Sequence, residues 1–330
     1  MDFMPEFFEK EIRCGFEIPV MMKRAWAAEL EVLQVVADIC EKHGLQYFAD
    51  WGTLLGAVRH QGFIPWDDDI DICLKREDYN ELIRILPEEL PEGFAMAGLY
   101  ADSERLRNLA QWLHSRVIAD NEEHGDFQEQ IRRFHGFPYS GFGIDIFPLD
   151  YLPADRELFD TQKLIVAYGV SILQNWDICM NNGELEKRLV YMEELCDMSL
   201  PRGISTACVL RRRLDAVAAL CRENEAEEMS ESPFYLDMEG YHMKKEWYER
   251  AVTLPFEHIE LAVPCGYHEV LTAQYGDYMT PVQGLQAHTY PFYAPKEREL
   301  LRQIRANGFD GTVEEFCQKV LDGELQVKRM

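Results

Sequence analysis

The sequence predicts an α/β (α+β) chain, and three observations predict it. Short strand-like runs alternate with helix-periodic segments through the first 155 residues. Gly and Pro then thin out and the periodicity turns helical. Strand-like composition returns at Leu254–Pro264. A length of 330 residues suits about two domains, or one core with a large elaboration. The expected division is a core over 1–155, a helical subdomain over 156–250, and a C-terminal segment over 251–330 that packs back on the core and contributes to the substrate site.

Residues 19–43 read as a long amphipathic helix, with Ala25, Ala28, Leu30, Leu33, Val36 and Ile39 at helical spacing and Gly44 as the stop. Tyr47–Asp50 is short and strand-like. Gly52-Thr53 opens a brief helix, Leu54–Arg59, with Thr53 as the expected cap. Gln61-Gly62 turns the chain. The alternation from Asp69 to Leu74 reads as a half-buried strand. A helix is expected over Asp78–Leu86, closed by Pro87 and Pro91. Further strands are expected within Trp112–Ala119 and over Phe142–Phe147, the latter ended by Pro148, which cannot donate to a ladder. Helices are expected at 156–176, 184–199, 205–229 and 267–275, with a final helix pair after the Pro- and Tyr-rich stretch to 295.

The charge balance, 33 Lys+Arg against 59 Asp+Glu, gives a net of −26. That argues against a nucleic-acid binder, which needs a basic footprint, and against a polybasic membrane anchor. The nine cysteines include no C-x-x-C and read as free thiols in a reducing cytosol. The first ten residues lack an apolar signal region. The longest apolar run, Leu164–Leu173, is about half a membrane span, so no transmembrane segment is expected.

The chemistry concentrates between Gly52 and Leu74. Asp67, Asp68, Asp69 and Asp71 repel one another unless a cation neutralises them. In a strand, Asp69 and Asp71 share a face, their Cα atoms roughly 6.5–7 Å apart, while Ile70 and Ile72 face the core. Such a pair suits hard divalent cations, Mg²⁺ or Mn²⁺, which favour oxygen ligands and substrate phosphates. Ile144-Asp145-Ile146 repeats the pattern, so Asp145 on a neighbouring strand would complete a three-carboxylate site for in-line displacement at phosphorus. Gly52 and Thr53 would offer amides and a hydroxyl to phosphate, with Arg59 and His60 as nearby cations. A calcium loop counted from Asp67 fails, because Ile72 stands where that loop needs Gly.

The segments Tyr47–His60 and Gly62–Ile72 closely resemble the signature of the LicD family, which is related to the fukutin-type proteins. Gly143–Asp150 is also similar, as is Tyr275-Gly276-Asp277-Tyr278-Met279 followed by His288. The helical middle carries the least of the resemblance. The resemblance implies a nucleotidyltransferase-like mixed sheet flanked by helices, with residues 1–155 as its catalytic core. It implies transfer of a phosphorylated alcohol, such as phosphocholine, from a CDP-linked donor such as CDP-choline to a hydroxyl of a sugar or cell-surface glycan precursor. Teichoic acid and lipopolysaccharide are the acceptors of its best-known members. It assigns Gly52 and Thr53 to the phosphates and Asp69, Asp71 and Asp145 to the metal. Asp67 and Asp68 belong to the signature as supporting groups, with Trp66, Asp277 and His288 as further supporting or substrate-facing candidates.

The expected location is the cytoplasm, or the inner face of the membrane if the acceptor is lipid-linked. Three rival readings use some of the same residues: a nucleotidyltransferase that releases pyrophosphate, an Asp-x-Asp glycosyltransferase, and a degenerate scaffold. The aromatic stretch with Tyr290, Phe292 and Tyr293, together with Trp112, either stacks on sugar rings or packs in the core.

Overall fold

The computed structural model describes residues 1–109, 113–120, 127–231, 238–283 and 290–327, with the backbone alone at Glu239. A two-strand hairpin, β1 (Glu11–Arg13) and β2 (Phe16–Ile18), turns on Cys14 and Gly15, both at positive φ. Its strands are too short for a period to be read in the sequence. Helix α1 (Val20–His43) follows, and Gly44 in the left-handed region returns its N–H to the carbonyls of Cys40 and Glu41.

The first half then alternates: β3 (Tyr47–Ala49), α2 (Trp51–His60), β4 (Asp71–Lys75), α3 (Arg76–Glu89), β5 (Phe94–Gly98), α4 (Glu104–Arg107), β6 (Ser115–Ala119), α5 (Phe127–Arg133) and β7 (Gly143–Pro153), of which β5, α4 and α5 go beyond the expected elements. Four helices come next: α6 (Arg156–Gln174), α7 (Trp176–Asn181), α8 (Leu185–Cys196) and α9 (Thr206–Ala218). Strands β8 (Ala226–Glu231), β9 (Met243–Lys244), β10 (Ala251–Phe256) and β11 (Ile259–Pro264) precede α10 (Tyr267–Tyr275), α11 (Ala294–Ala306) and α12 (Val313–Leu321).

The main sheet is mixed, in the order β3-β4-β7-β6-β5, with β8 beside the second half of β7 and β9 on β8. Strands β4 and β7 run parallel, whereas β3 and β6 pair antiparallel to them. Helix α1 packs on β6 and β7, α3 on β4, β5 and β7, and α2 on β4 and the β10–β11 hairpin. Ile70, Ile72, Ile144 and Ile146 are all fully buried. At about 1.5–3 kcal/mol per buried side chain, they fix the register from which the acids between them project. No helix among the described residues is long and apolar enough to cross a membrane.

Several expected boundaries are corrected. Strand β4 begins at Asp71, so Asp69 precedes the ladder rather than sharing a strand with Asp71. The cap of α2 is Asp50, whose side chain accepts from the Trp51 N–H, and the helix starts at Trp51 rather than after Thr53. Pro87 lies inside α3, which runs on to Glu89. Pro148 does not end β7. The Asp145 N–H points to β4, donating to the Ile70 carbonyl, so alternation turns the nitrogen of Pro148 to the other edge. There β6 has ended opposite Ile146 and β8 begins opposite Leu149, so no ladder bond is lost. The helix expected at 205–229 stops at Ala218, and the chain returns as β8 to complete the sheet. The strand-like 254–264 stretch covers the end of β10 and all of β11, which pair as an antiparallel hairpin starting at Ala251.

The helical region carries a second apolar cluster, in which Ile172, Leu189, Met192, Leu210 and Leu214 meet Leu99 and Leu113 from the sheet half. A buried ion network ties the halves together. Arg76 grips Asp150 of β7 with two bonds, Nε–Oδ1 2.6 Å and Nη2–Oδ2 2.7 Å, and reaches Asp215 of α9 at 3.1 Å. Tyr100 donates its hydroxyl to the same Asp215. All three charged groups are buried, so removing one partner strands a charge. Asp150→Ala should therefore lower unfolding free energy by about 3–5 kcal/mol in urea titrations. A loss below about 1 kcal/mol, the range of an exposed pair, would contradict the network's role.

Candidate active site

The site begins where two parallel strands start. Asp71 lies opposite Asp145 in register, on strands about 4.8 Å apart. Since Ile70, Ile72, Ile144 and Ile146 take the core face, the period of two sends both carboxylates to the other face. Arg116 on β6 is the register partner of Asp145 on its other side. Its Nε lies 2.5 Å from Asp145 Oδ1, and His114 Nε2 lies 3.5 Å away. Burial alone would raise the Asp145 pKa, but Arg116 and His114 outweigh it and hold the carboxyl below its ordinary range. Asp71 has no such partner in its balance. Burial, then the charges of Asp69, Asp145, Asp67 and Asp50, push it well above the ordinary carboxylate value.

The loop from Gln61 to Ile70 brings up the second group. Oxygen atoms of Asp67, Asp68 and Asp69 lie within 4.8 Å of one another. Trp26 on α1 donates Nε1–H to the Asp67 carbonyl at 3.0 Å and stacks on Phe63 at 4.6 Å, which fixes the loop's height over the sheet. Burial comes first in raising the Asp67 pKa well above its usual value, and the neighbouring Asp69 and Asp68 add to it. Asp68 is fully buried and accepts the Phe292 N–H at 2.6 Å. It clamps the C-terminal segment to the loop.

Helix α2 supplies the third wall. The Asp67 carboxylate lies against Gly52, where a Cβ would stand 2.3 Å from Oδ2. Glycine at 52 is thus required by the acid's approach. Thr53 is buried, and its Oγ1 accepts the Asp71 N–H at 2.9 Å, so the hydroxyl positions the start of β4. Trp51 adopts φ +43, a strained value for a bulky side chain. Its indole Nε1–H is held by both oxygens of Glu231 on β8, at 2.9 and 3.0 Å. Burial raises the Glu231 pKa well above normal, and the adjacent Asp50 carboxyl reinforces it.

Sequence reasoning missed four participants. Glu231 carried no signal: it lies just past the stretch read as helix, 205–229, where no strand was expected. Arg116 was legible in principle: it sits in a run of apolar strand residues at the parity that faces Asp145. His114 precedes that strand. Glu29 falls four residues after Ala25 and four before Leu33, inside the apolar stripe of α1, which is an anomalous place for an acid. It is buried, and its Oε2 has no hydrogen-bond partner among the described residues. Burial, then Asp68, Asp69 and Asp67, push its pKa well above normal.

Other expected site residues are placed elsewhere. Arg59 and His60 lie in the last turn of α2, with Arg59 Cα about 10 Å along the axis from Gly52. Arg59 donates Nη1–H to the Tyr278 carbonyl at 2.8 Å and Nε–H to His60 Nε2 at 2.9 Å. Burial and the Arg59 and Arg13 charges lower the His60 pKa to about 4. The segment at 275–279 clamps α2 at both ends: Tyr278 holds Arg59, and the Tyr275 ring sits edge-on to Trp51. Gly276 caps α10, and Asp277 accepts from the Thr280 hydroxyl in an exposed turn. Trp66 is partly buried, edge-on to Phe16. Tyr293 is core, stacked on Tyr139, with Phe292 against Phe137. His288 and Trp112 lie outside the described residues.

The donor set is all oxygen, from carboxylates that repel one another, with buried acid oxygens at Glu29, Asp50 and Asp145 that lack a hydrogen-bond partner among the described residues. Those features fit a hard divalent cation of the Mg²⁺ or Mn²⁺ type. Among the described residues, the carboxylates close enough together to share one are those of Asp67, Asp68 and Asp69; the expected set of Asp69, Asp71 and Asp145 is not brought together in that way, although Asp71 and Asp145 stand in register beside it.

Residues 44–150 match the family model described as LicD/FKTN/FKRP, nucleotidyltransferase domain. Over 256 residues, 76% of this chain and 88% of the relative, the chain is 25% identical to the lipopolysaccharide cholinephosphotransferase LicD of Haemophilus influenzae. Over 48 residues, 14% of this chain and 10% of the relative, it is 42% identical to the ribitol 5-phosphate transferase FKRP of Homo sapiens. Over 85 residues, 25% of this chain and 30% of the relative, it is 41% identical to an uncharacterised protein of Rickettsia prowazekii.

Two predictions follow from the geometry. Gly52→Ala must displace the Asp67 carboxylate, so Mn²⁺ affinity by calorimetry should fall about 10–100-fold, with stability held within about 1 kcal/mol; unchanged affinity would contradict the arrangement. Secondly, Glu29, Asp67, Asp71 and Glu231 have raised folded-state pKa values, against a lowered Asp145. The folded chain therefore binds more protons than the unfolded one above the ordinary carboxyl range, and stability falls as pH rises through that window. In EDTA the melting temperature should rise as pH drops from about 7 toward 5, and Mg²⁺ at neutral pH should raise it with proton release. A melting temperature that falls on mild acidification would overturn this.

Proposed function

We propose that this chain, which carries over residues 44–150 the nucleotidyltransferase domain of the LicD family, is a metal-dependent phosphotransferase that moves a phosphorylated alcohol from a CDP-linked donor to a hydroxyl of a glycan. Phosphocholine is the group we favour, because the relative matched over most of both chains is named a cholinephosphotransferase. The observation that carries the reading is the in-register pair Asp71 and Asp145, with the charges of Asp69 and Asp67 bearing on Asp71 from the loop.

The acceptor oxygen attacks the phosphorus that bears the alcohol. The new P–O bond forms as the bridging bond to CMP breaks, and CMP leaves with that electron pair. A divalent ion held by Asp67, Asp69, Asp71 and Asp145 would supply charge neutralisation to the phosphate oxygens. Arg116, fixed by Asp145, lies where it offsets charge that builds on the transferred group. Because Arg116 and His114 keep Asp145 ionised and weakly basic, Asp145 suits holding and orienting more than deprotonation. The acceptor's proton passes to His114 or solvent. Gly52 keeps room for Asp67, and Thr53 sets the height of Asp71.

On this reading the core of residues 1–155 is completed by β8, which brings Glu231 to the site. The helices from 156 to 218 form a subdomain docked through Asp215. The C-terminal segment returns to the site through Phe292 on Asp68 and Tyr278 on Arg59. A lipid-linked acceptor would place the chain at the cytoplasmic face of a membrane. A second reading, nucleotidyl transfer with pyrophosphate release, is favoured by the description of the matched domain.

With CDP-choline, Mg²⁺ and a glycan acceptor, CMP should accumulate, and Asp71→Asn should lower turnover by about 10³-fold in a protein that still folds. Arg116→Gln should lower kcat more than it raises donor KM. Pyrophosphate in place of CMP would move the assignment to the second reading. Turnover near wild type in Asp71→Asn would end both.

A further inference from the structure

A cavity of about 640 Å³ opens between α4 and the start of α9, away from the carboxylate site. Its volume falls in the usual range for small-molecule sites, about 300–1,000 Å³. Three arginines line it: Arg107, Arg211 and Arg212, with Ser205, Ile204 and Leu99 among the other walls. In a chain with 59 acids against 33 basic residues, arginines normally find carboxylates. Among the described residues these three form no ion pair.

Arg107 spends one nitrogen on the carbonyls of Ala101 and Asp102, at 2.8 Å each, which fixes the stem while leaving the charge unneutralised. The Arg211 Nε is buried and has no hydrogen-bond partner among the described residues. Arg212 lies with its guanidinium 5.7 Å from the centre of the Tyr100 ring, so an aromatic neighbour supports it rather than an acid. Glu104 is the acid among the lining residues. The first turn of α9, at Ala207 and Cys208, adds the positive end of a helix of 13 residues.

We propose that this cavity binds a phosphate ester of saccharide size. Guanidinium groups present planar forks that match tetrahedral phosphate oxygens, and a buried Nε–H without a partner is relieved by an incoming acceptor. None of these residues belongs to the carboxylate site, so the cavity is a separate binding place. It goes beyond the proposed transfer reaction and does not depend on the divalent ion.

The test is modification of the full chain by phenylglyoxal in EDTA, with peptide mass mapping of Arg107, Arg211 and Arg212. Glucose 6-phosphate and inorganic phosphate serve as protectants, and sodium chloride at matched ionic strength is the control. Saturable, several-fold slower modification of Arg212 and Arg211 with glucose 6-phosphate is the expected result. It should persist in Asp71→Asn, which separates this site from the proposed active centre, and should weaken in Arg107→Gln, whose fold is checked by its melting temperature. Protection by inorganic phosphate alone would reduce the ligand to a free oxyanion and overturn the saccharide ester. No protection, or equal slowing by chloride, would overturn the site altogether.

Discussion

One constraint organises the molecule: acids of like charge are forced together at the ends of β4 and β7. Asp50, Asp67, Asp69, Asp71, Asp145, Glu29 and Glu231 converge there, and the cation facing them among the described residues is Arg116, with the His114 imidazole beside it. Two unit charges about 5 Å apart repel by about 3 kcal/mol at an effective dielectric of about 20. A few such pairs rival the whole stability of a domain, about 5–15 kcal/mol. The site must therefore hold protons or bind cations. Burial first, and then that repulsion, raise the pKa values of Asp67, Asp71, Glu29 and Glu231, and affinity for a hard divalent ion would relieve the same pressure.

The fold bears this repulsion by fixing each acid through its backbone. The four core isoleucines around Asp71 and Asp145 lock the strands. Thr53 holds the amide of Asp71, Trp26 holds the carbonyl of Asp67, and Phe292 holds the carboxylate of Asp68. The strained Trp51 is tied down by Glu231, which in turn presents Gly52 to Asp67 with no side chain between them. Elements distant in sequence, α1, β8 and the C-terminal segment, thus meet at one loop.

Much of this was legible from residue order. Alternation of Asp with Ile fixed which side of the sheet Asp71 and Asp145 would take, because a period of two leaves no other option once the isoleucines are buried. The long first helix and the final helix pair follow equally from pattern, whereas the mixed sheet was implied by the resemblance to the LicD family. The start of β4 did not: Asp69-Ile70 continues the alternation, yet a ladder's end is set by its partner strands, which local pattern does not contain. Pro148 misled for the same reason, since its tolerance depends on a gap between β6 and β8. Arg59 beside the glycine turn looked like a phosphate ligand, but a helix rise of 1.5 Å per residue carries it away to Tyr278. Glu231 needed a tertiary contact that no local spacing encodes.

The most direct measurement of the central claim is an anomalous difference map from crystals soaked with Mn²⁺ and CDP-choline. The account predicts metal peaks bounded by the carboxylates of Asp67, Asp69, Asp71 and Asp145, with the donor's diphosphate against them. A peak elsewhere, or none while those four acids keep their present spacing, would contradict it.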